Sequence, residues 1–393
     1  MLAGDPLRAL AATMVVGYHA LYASALATGG EVARHMSPGD LMGQAYGRIP
    51  GAIGSHLNVG VYIFFALTGY FVGGPYVRSV MSGKPAPDVG RYLSRRLRRI
   101  VPAFWLFAAI SILVMKPADT TFGDLASVFG FVQNWHVSWT RTAIGQAWTL
   151  DIEMAFYLAL PLAAWLLSAP LRGRAVRPGT MLAVIALLGA LSLAVTPGYP
   201  SVLDSWSMSL PCILWAFTPG LALAALEPVL EPRLSGRRGR LLSVAVLAVG
   251  AGAFVTLTQI SIARTVSHCF VLTLFAGCVV GAPLIWQWST GGAPRWVTTR
   301  AASALGRWSY GIYLCHFVLS IKLVDLAPAS ASAKANVLLT GPLTFAASVA
   351  VAATSWRFLE RPILEWRSAA RAPSGSDPDV LAPLSPELST PTA

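Results

Sequence analysis

Arg8 and His19 stand eleven residues apart in an otherwise apolar stretch, Asp5-Pro-Leu-Arg8-Ala-Leu-Ala-Ala-Thr-Met-Val-Val-Gly-Tyr-His19-Ala20. On a helix that separation is close to three whole turns, so both side chains share one face, about 16 Å apart along the axis. Ionisable groups at bilayer depth are costly and usually line a cavity or pathway. One reading is a cation near the membrane surface with a proton acceptor deeper in. The other is a snorkelling Arg8 and a His19 hydrogen-bonded inside a helix bundle.

Further polar groups enter apolar segments at Trp148-Thr-Leu-Asp151-Ile-Glu153-Met-Ala-Phe-Tyr157 and at Ser309-Tyr310-Gly-Ile-Tyr313-Leu-Cys315-His316. Counted from the outer ends of their spans, Glu153 and His19 differ in depth by only about 4 Å and would meet if their helices face each other. A carboxylate beside an imidazole orients it and stabilises its cation, which suits a general base. Asp151 is a second, more interfacial carboxylate. Tyr313 and His316, three apart, share a face and are cavity candidates, with interhelical hydrogen bonding as the equal alternative. Cys315 and His316 diverge by 100°, which argues against a Cys-His nucleophile pair. The run Arg95-Arg96-Leu-Arg98-Arg99-Ile-Val-Pro102 enters another span. Such a cluster can grip phosphates, although topology alone also explains it.

The elements that must hold these groups are membrane helices. Of the 393 residues 55% are hydrophobic and only 12% charged, outside the soluble range on both counts. Apolar runs long enough to span predict about ten transmembrane helices, near 8–27, 57–76, 100–115, 148–168, 180–196, 204–226, 241–259, 265–288, 305–325 and 336–358. The third is short. The expected fold is therefore an all-α integral membrane bundle. The net charge of +12 does not point to nucleic acid. With both termini cytoplasmic, most Lys and Arg fall on inner loops, including Arg78, Lys84, Arg91 and Arg95 to Arg99, as the positive-inside rule requires. This predicts a multi-pass protein of the cell membrane, the inner membrane if the source is bacterial.

Residues 1–367 read as one transmembrane domain and 368–393 as a disordered cytoplasmic tail rich in Pro, Ser and Ala. The first span also resembles a signal peptide, but its length and internal polar groups favour retention. External loops are expected at 28–56 and at 116–147, the latter carrying Trp135, His136 and Trp139. His35, His56 and His136 are too scattered for metal ligation and read as solvated loop histidines. Cys212, Cys269, Cys278 and Cys315 fall within spans without zinc spacing, so neither a metal site nor a disulfide framework is expected. The sequence contains neither a phosphate-cradling Gly-rich loop nor a Gly-x-Ser-x-Gly elbow.

Taken together, the motifs resemble the acyltransferase-3 family of polytopic membrane O-acyltransferases, nearly end to end from Leu7-Arg8 to Glu360-Arg361-Pro362. The Arg8-x10-His19 pair is followed by Val59-Gly-Val-Tyr-Ile-Phe-Phe-Ala-Leu-Thr-Gly69 and Arg96-x-x-Arg99-Ile-x-Pro102. Trp148-Thr-Leu-x-x-Glu153-x-x-Phe-Tyr157 and Leu305-Gly-x-x-Ser-Tyr310-x-x-Tyr313-x-x-His316 complete the series. Tyr62 stands where the family often has an acid, so no acid role carries over to it. Thr68 and Thr149 replace commoner serines and keep the hydroxyl. The resemblance implies an acyl-coenzyme A co-substrate (acetyl-CoA foremost), His19 as catalytic residue, and donor contacts from Arg8, Arg96 and Arg99.

The expected activity (EC 2.3.1.-) moves an acetyl or other short acyl group to a hydroxyl of a carbohydrate, glycolipid or glycosylated, macrolide-like metabolite. His19 would be the general base, supported by Glu153, with no bound cofactor. The rival is a transporter using the intramembrane His, Glu and Arg as a substrate or proton site. It would call for broken helices repeated in two halves, and the sequence shows no such pairing.

Overall fold

In the computed structural model, residues 4–117, 120–135, 145–197, 206–260, 265–294 and 298–369 are described. The expectations for His136, Trp139 and the tail beyond 369 lie outside them. Every regular element among the described residues is helical. The long ones are α1 (Gly4–Thr28), α2 (Arg48–Ser82), α3 (Val89–Met115), α4 (Gly145–Leu171) and α5 (Pro178–Val195). α6 is a pair, Leu210–Ala216 and Thr218–Arg233, bent by 46°. α7 (Gly236–Leu257), α8 (Val266–Thr290), α9 (Arg300–Leu326) and α10 (Ala333–Glu365) complete the bundle. Nine are long and apolar enough to cross a membrane, and the bent α6 makes ten if it counts as one span. Each span expected from hydropathy thus has its helix. Leu158, Leu162, Trp165, Leu187, Leu191, Val244 and Val255 stand exposed on the outer faces, as a lipid-facing surface requires.

Two expectations need correction. The third span is not short: α3 has 27 residues, and the basic segment 89–99 is its first three turns rather than a loop. Asp88 caps it by accepting the Arg91 N–H at 2.6 Å. The Arg and Leu that follow are good helix formers, so hydropathy missed a helix that propensity and capping specify. The basic end also projects three more arginine-bearing turns beneath the apolar part. The loop 28–56 is largely helical too (Gly30–Ala33, Pro38–Tyr46 and the start of α2). Its Tyr46 hydroxyl donates to Leu21 O at 2.7 Å, docking it on α1. His35 is exposed, whereas His56 is part-buried, its Nδ1 2.7 Å from Ala52 O and its ring 6.2 Å from that of His268. His56 is therefore not a solvated loop histidine.

α1 sits centrally, packed on α2, α9 and α10. Close packing is possible because α9 presents Gly306 to the backbone of Asp5, where any Cβ would overlap the carbonyl. In the same way Gly220 of α6 lies against Ala66 O of α2. Small residues at such crossings let backbones approach where lipid supplies no hydrophobic drive between helices. At the end remote from the arginines, Ser24 Oγ donates to Asn336 Oδ1 at 3.0 Å, and Asn336 Nδ2 donates to Val324 O at 3.2 Å. This polar clasp joins α1, α9 and α10. Beyond Thr68, α2 widens into a π-helical turn, Gly69–Gly73. Such turns interrupt α-helices mostly at functional sites, and this one brings Phe71 and Val72 to a cavity wall.

Candidate active site

A cavity of about 100 Å³ opens between α1, α2, α3, α4 and α9. Arg8, Arg96 and Arg99 line it, with Glu153, Tyr157, Thr68, Thr149, Ser309 and Tyr313 among its other polar walls. Arg8 is fixed by Asp5, whose Oδ1 accepts from Nη1 at 3.1 Å, and its guanidinium lies 5.1 Å from the Phe71 ring centre. Arg96 lies 5.8 Å from the Tyr157 ring centre. Aromatic faces of this kind hold a cation without consuming its donors, so the N–H groups that Arg8 does not give to Asp5, and those of Arg96, can meet an anion.

Glu153 is one turn along α4 from Tyr157. Its Oε2 accepts from the Tyr157 hydroxyl at 3.0 Å and its Oε1 from Thr68 Oγ1 at 2.9 Å. The expected meeting of Glu153 with His19 is therefore not what the structure holds. The carboxylate is the acceptor hub of the cavity wall and a counter-charge to Arg99 and Arg96, Arg8 being paired with Asp5. Equal depth did not suffice because it says nothing of facing: Glu153 turns to Thr68 of α2 and to Tyr157 on its own helix, and His19 takes His316 of α9 instead. Glu153→Gln turns one acceptor oxygen into a donor and leaves Thr68 or Tyr157 without its partner. The expected result is a loss of about tenfold or more in turnover together with a lower melting temperature. Wild-type values for both would remove Glu153 from the site.

Another turn along α4, the Tyr313 hydroxyl lies 2.7 Å from both Gln146 O and Thr149 Oγ1. A carbonyl only accepts, so Gln146 O takes the Tyr313 proton, and Thr149 Oγ1, itself 3.4 Å from Gln146 O, completes the cluster. With the Phe64 ring 6.1 Å from that of Tyr313, this bond forms the part of the cavity wall that stands between the arginines and His19, which does not line the cavity.

His316 lies one turn past Tyr313 on α9 and is fully buried. Its Nδ1 faces Tyr313 O at 2.7 Å and Ile312 O at 3.2 Å. Both are carbonyls, so Nδ1 carries the hydrogen and Nε2 is an acceptor. That nitrogen meets His19 Nδ1 at 3.1 Å, and His19 Nδ1 also faces Val15 O at 3.0 Å. His19 Nδ1 must then be the donor, which leaves Nε2 as its lone-pair nitrogen. Three backbone carbonyls and one imidazole thus fix the tautomer of His19, a part that sequence reasoning had given to Glu153. His19 itself is part-exposed, on the far side of the Tyr313–Thr149 closure from the arginines. Such an imidazole can take a proton from a hydroxyl brought to it.

Of the residues singled out from sequence, the structure gathers Arg8, Arg96, Arg99, Glu153 and Tyr313 around one cavity and puts His19 with His316 just beyond it. Asp151 is elsewhere: its Oδ2 accepts the Asn134 N–H at 3.0 Å and anchors the turn 133–135. Tyr62 stacks on Trp215 at 5.3 Å and serves packing. Cys315 Sγ points to the Ile312 and Ser348 carbonyls, away from His316. Thr68, Thr149 and Tyr157 were not among the chosen site residues. Tyr157 had a signal, its i+4 spacing from Glu153; the two threonines had only their hydroxyls within motifs.

Comparison with known sequences bears on what this site serves. A curated relative, Nodulation protein 10 of Rhizobium leguminosarum bv. viciae, is 26% identical over 341 residues, covering 79% of this chain and 83% of its own. No solved structure matches significantly. The acyltransferase-3 family, described as an acyltransferase domain, matches residues 5–357, so nearly every helix that builds the cavity falls within it. The chain therefore belongs to the acyltransferase-3 family and is a multi-pass membrane acyltransferase.

Proposed function

We propose that the protein transfers an acetyl or other short acyl group from acyl-CoA to a hydroxyl of a carbohydrate, glycolipid or glycosylated, macrolide-like metabolite. The single observation that carries the reading is the hydrogen-bond chain Tyr313 O, His316, His19, which leaves the His19 Nε2 lone pair available beyond a cavity lined by three arginines. His19 removes the acceptor proton as the oxygen attacks the thioester carbon. The new C–O bond forms, the C–S bond breaks, and His19 returns the proton to the departing thiolate. Direct transfer suffices, because Cys315 is turned away and, among the described residues, no thiol lines the cavity. As His19 becomes cationic, its Nδ1–H still donates to neutral His316, which spreads the charge without placing a second cation beside it. His316 is thus a positioning residue.

Arg8, Arg96 and Arg99 receive the anionic donor, and the small cavity favours a short acyl group. By the positive-inside rule these arginines face the cytoplasm, at the inner membrane if the source is bacterial, and His19 lies toward the opposite face. The decisive experiment uses detergent-purified protein with acetyl-CoA and a panel of hydroxyl acceptors, following thioester loss. Loss that depends on the acceptor, with an ester formed in equal amount, is the expected result. Intact thioester with every donor length and acceptor class would overturn the reading.

A further inference from the structure

Beside the site cavity is a second cleft of about 240 Å³, lined by Pro75, Tyr76, Pro87, Asp88, Arg91, Tyr92 and Arg95. The two share one wall, formed by Phe71, Val72 and Arg96, and so adjoin at Arg96. The cleft combines an aromatic floor with a cationic rim. The Tyr76 and Tyr92 rings meet edge to face at 5.3 Å. Arg91 and Arg95 stand exposed above them, four residues apart and hence on one face of α3. Asp88 is the one acid in this wall, and one of its oxygens is already engaged by the Arg91 N–H.

Two observations make this a built site rather than a basic surface. Tyr76 is 2% exposed, yet its hydroxyl has no hydrogen-bond partner among the described residues. A buried hydroxyl without a partner is costly, and an incoming polar group would satisfy it. Tyr92 is in turn tied to the site, because its hydroxyl donates to Tyr157 O at 3.3 Å, and Tyr157 holds Glu153. Arginines carry planar forks suited to phosphate, and aromatic rings accept a heterocyclic base by stacking.

We propose that this cleft binds the adenosine 3′-phosphate end of coenzyme A. The base stacks on the part-exposed Tyr92 beside the Tyr76 hydroxyl, the 3′-phosphate lies on Arg91 and Arg95, and the diphosphate at Arg96, where the two cavities adjoin. The pantetheine arm then enters the first cavity toward Thr149 and Tyr313. The inference rests on acyl-CoA being the donor, and it assigns recognition of the nucleotide to residues outside the Arg8, Arg96 and Arg99 group.

The test is calorimetry on the full-length protein in phosphatidylcholine nanodiscs, with CoA, dephospho-CoA and 4′-phosphopantetheine. Wild type is expected to bind CoA about tenfold more tightly than dephospho-CoA, a difference that one charge-assisted phosphate contact supplies. In the double variant Arg91→Ala, Arg95→Ala the two affinities should converge, with dephospho-CoA binding kept. Tyr76→Phe should weaken both nucleotides several-fold and leave 4′-phosphopantetheine unchanged, which also reports an intact fold. Equal wild-type affinity for CoA and dephospho-CoA overturns the subsite, as does an equal loss of both in the double variant. So does a double variant that loses only its response to added phosphatidylglycerol, which would make the cleft a lipid-headgroup site. Wild type that binds no form of CoA defeats the donor reading itself, and the two failures are thereby distinguished.

Discussion

Replacing His19 by alanine is expected to abolish acyl transfer, lowering turnover by about 10²–10⁴ while the protein still inserts and accumulates normally. The residue is part-exposed, so the fold loses only the Nδ1 contacts to His316 and Val15 O and edge packing against Tyr18 and Phe317. The chemistry loses its only lone-pair nitrogen at the end of the chain. His316→Gln makes the companion test. It removes a fixed acceptor for His19 Nδ1–H without touching the hydroxyl substrate, so it should lower turnover less than the His19 variant and leave donor affinity unchanged. Acceptor-dependent ester formation at the wild-type rate in His19→Ala would end the assignment. Equal losses in donor binding and turnover in both variants would make the pair structural.

The second large effect concerns sidedness, and it is nearly all-or-none. The arginines and the histidine pair occupy opposite sides of the Tyr313–Thr149 closure, with Arg8 and His19 about 16 Å apart on one helix. The proposed route brings the donor from the arginine side and the acceptor from the other. In proteoliposomes of one orientation, donor supplied at the arginine face and acceptor at the opposite face should give product. Reversing the two should give none. Product formed only when both substrates share the arginine face would refute the cross-membrane route and favour an acceptor made inside the cell.

The bundle was legible in the sequence because hydropathy reports spans directly, and the positions of ten helices follow from it. The start of α3 was not, since its first turns are basic and amphipathic rather than apolar. Within the site, Arg8 and His19 could be put on one face because helical spacing is a local property. The partner of His19 could not be identified this way. Glu153 and His316 were both intramembrane candidates, and choosing between them needed the relative facing of three helices. That facing is set by contacts such as Gly306 against Asp5, to which no periodicity points. The hydroxyls of Thr68 and Thr149 were readable as kept chemistry, but their partners depended on tertiary placement.

The bond between Tyr313 and Thr149, backed by Phe64, has a consequence for the cell as a whole. A line of arginines, a carboxylate and two imidazoles across a bilayer resembles the interior of an ion conductor. Left continuous and wet, it would leak protons and run down the gradient on which the membrane depends. The closure interrupts the line at one place, with both hydroxyl protons committed to fixed acceptors and an aromatic ring excluding water. On the proposed route an acyl group, itself apolar, would displace that plug and fill the gap it opens. A hydrated ion would not, so transfer would leave the membrane electrically tight.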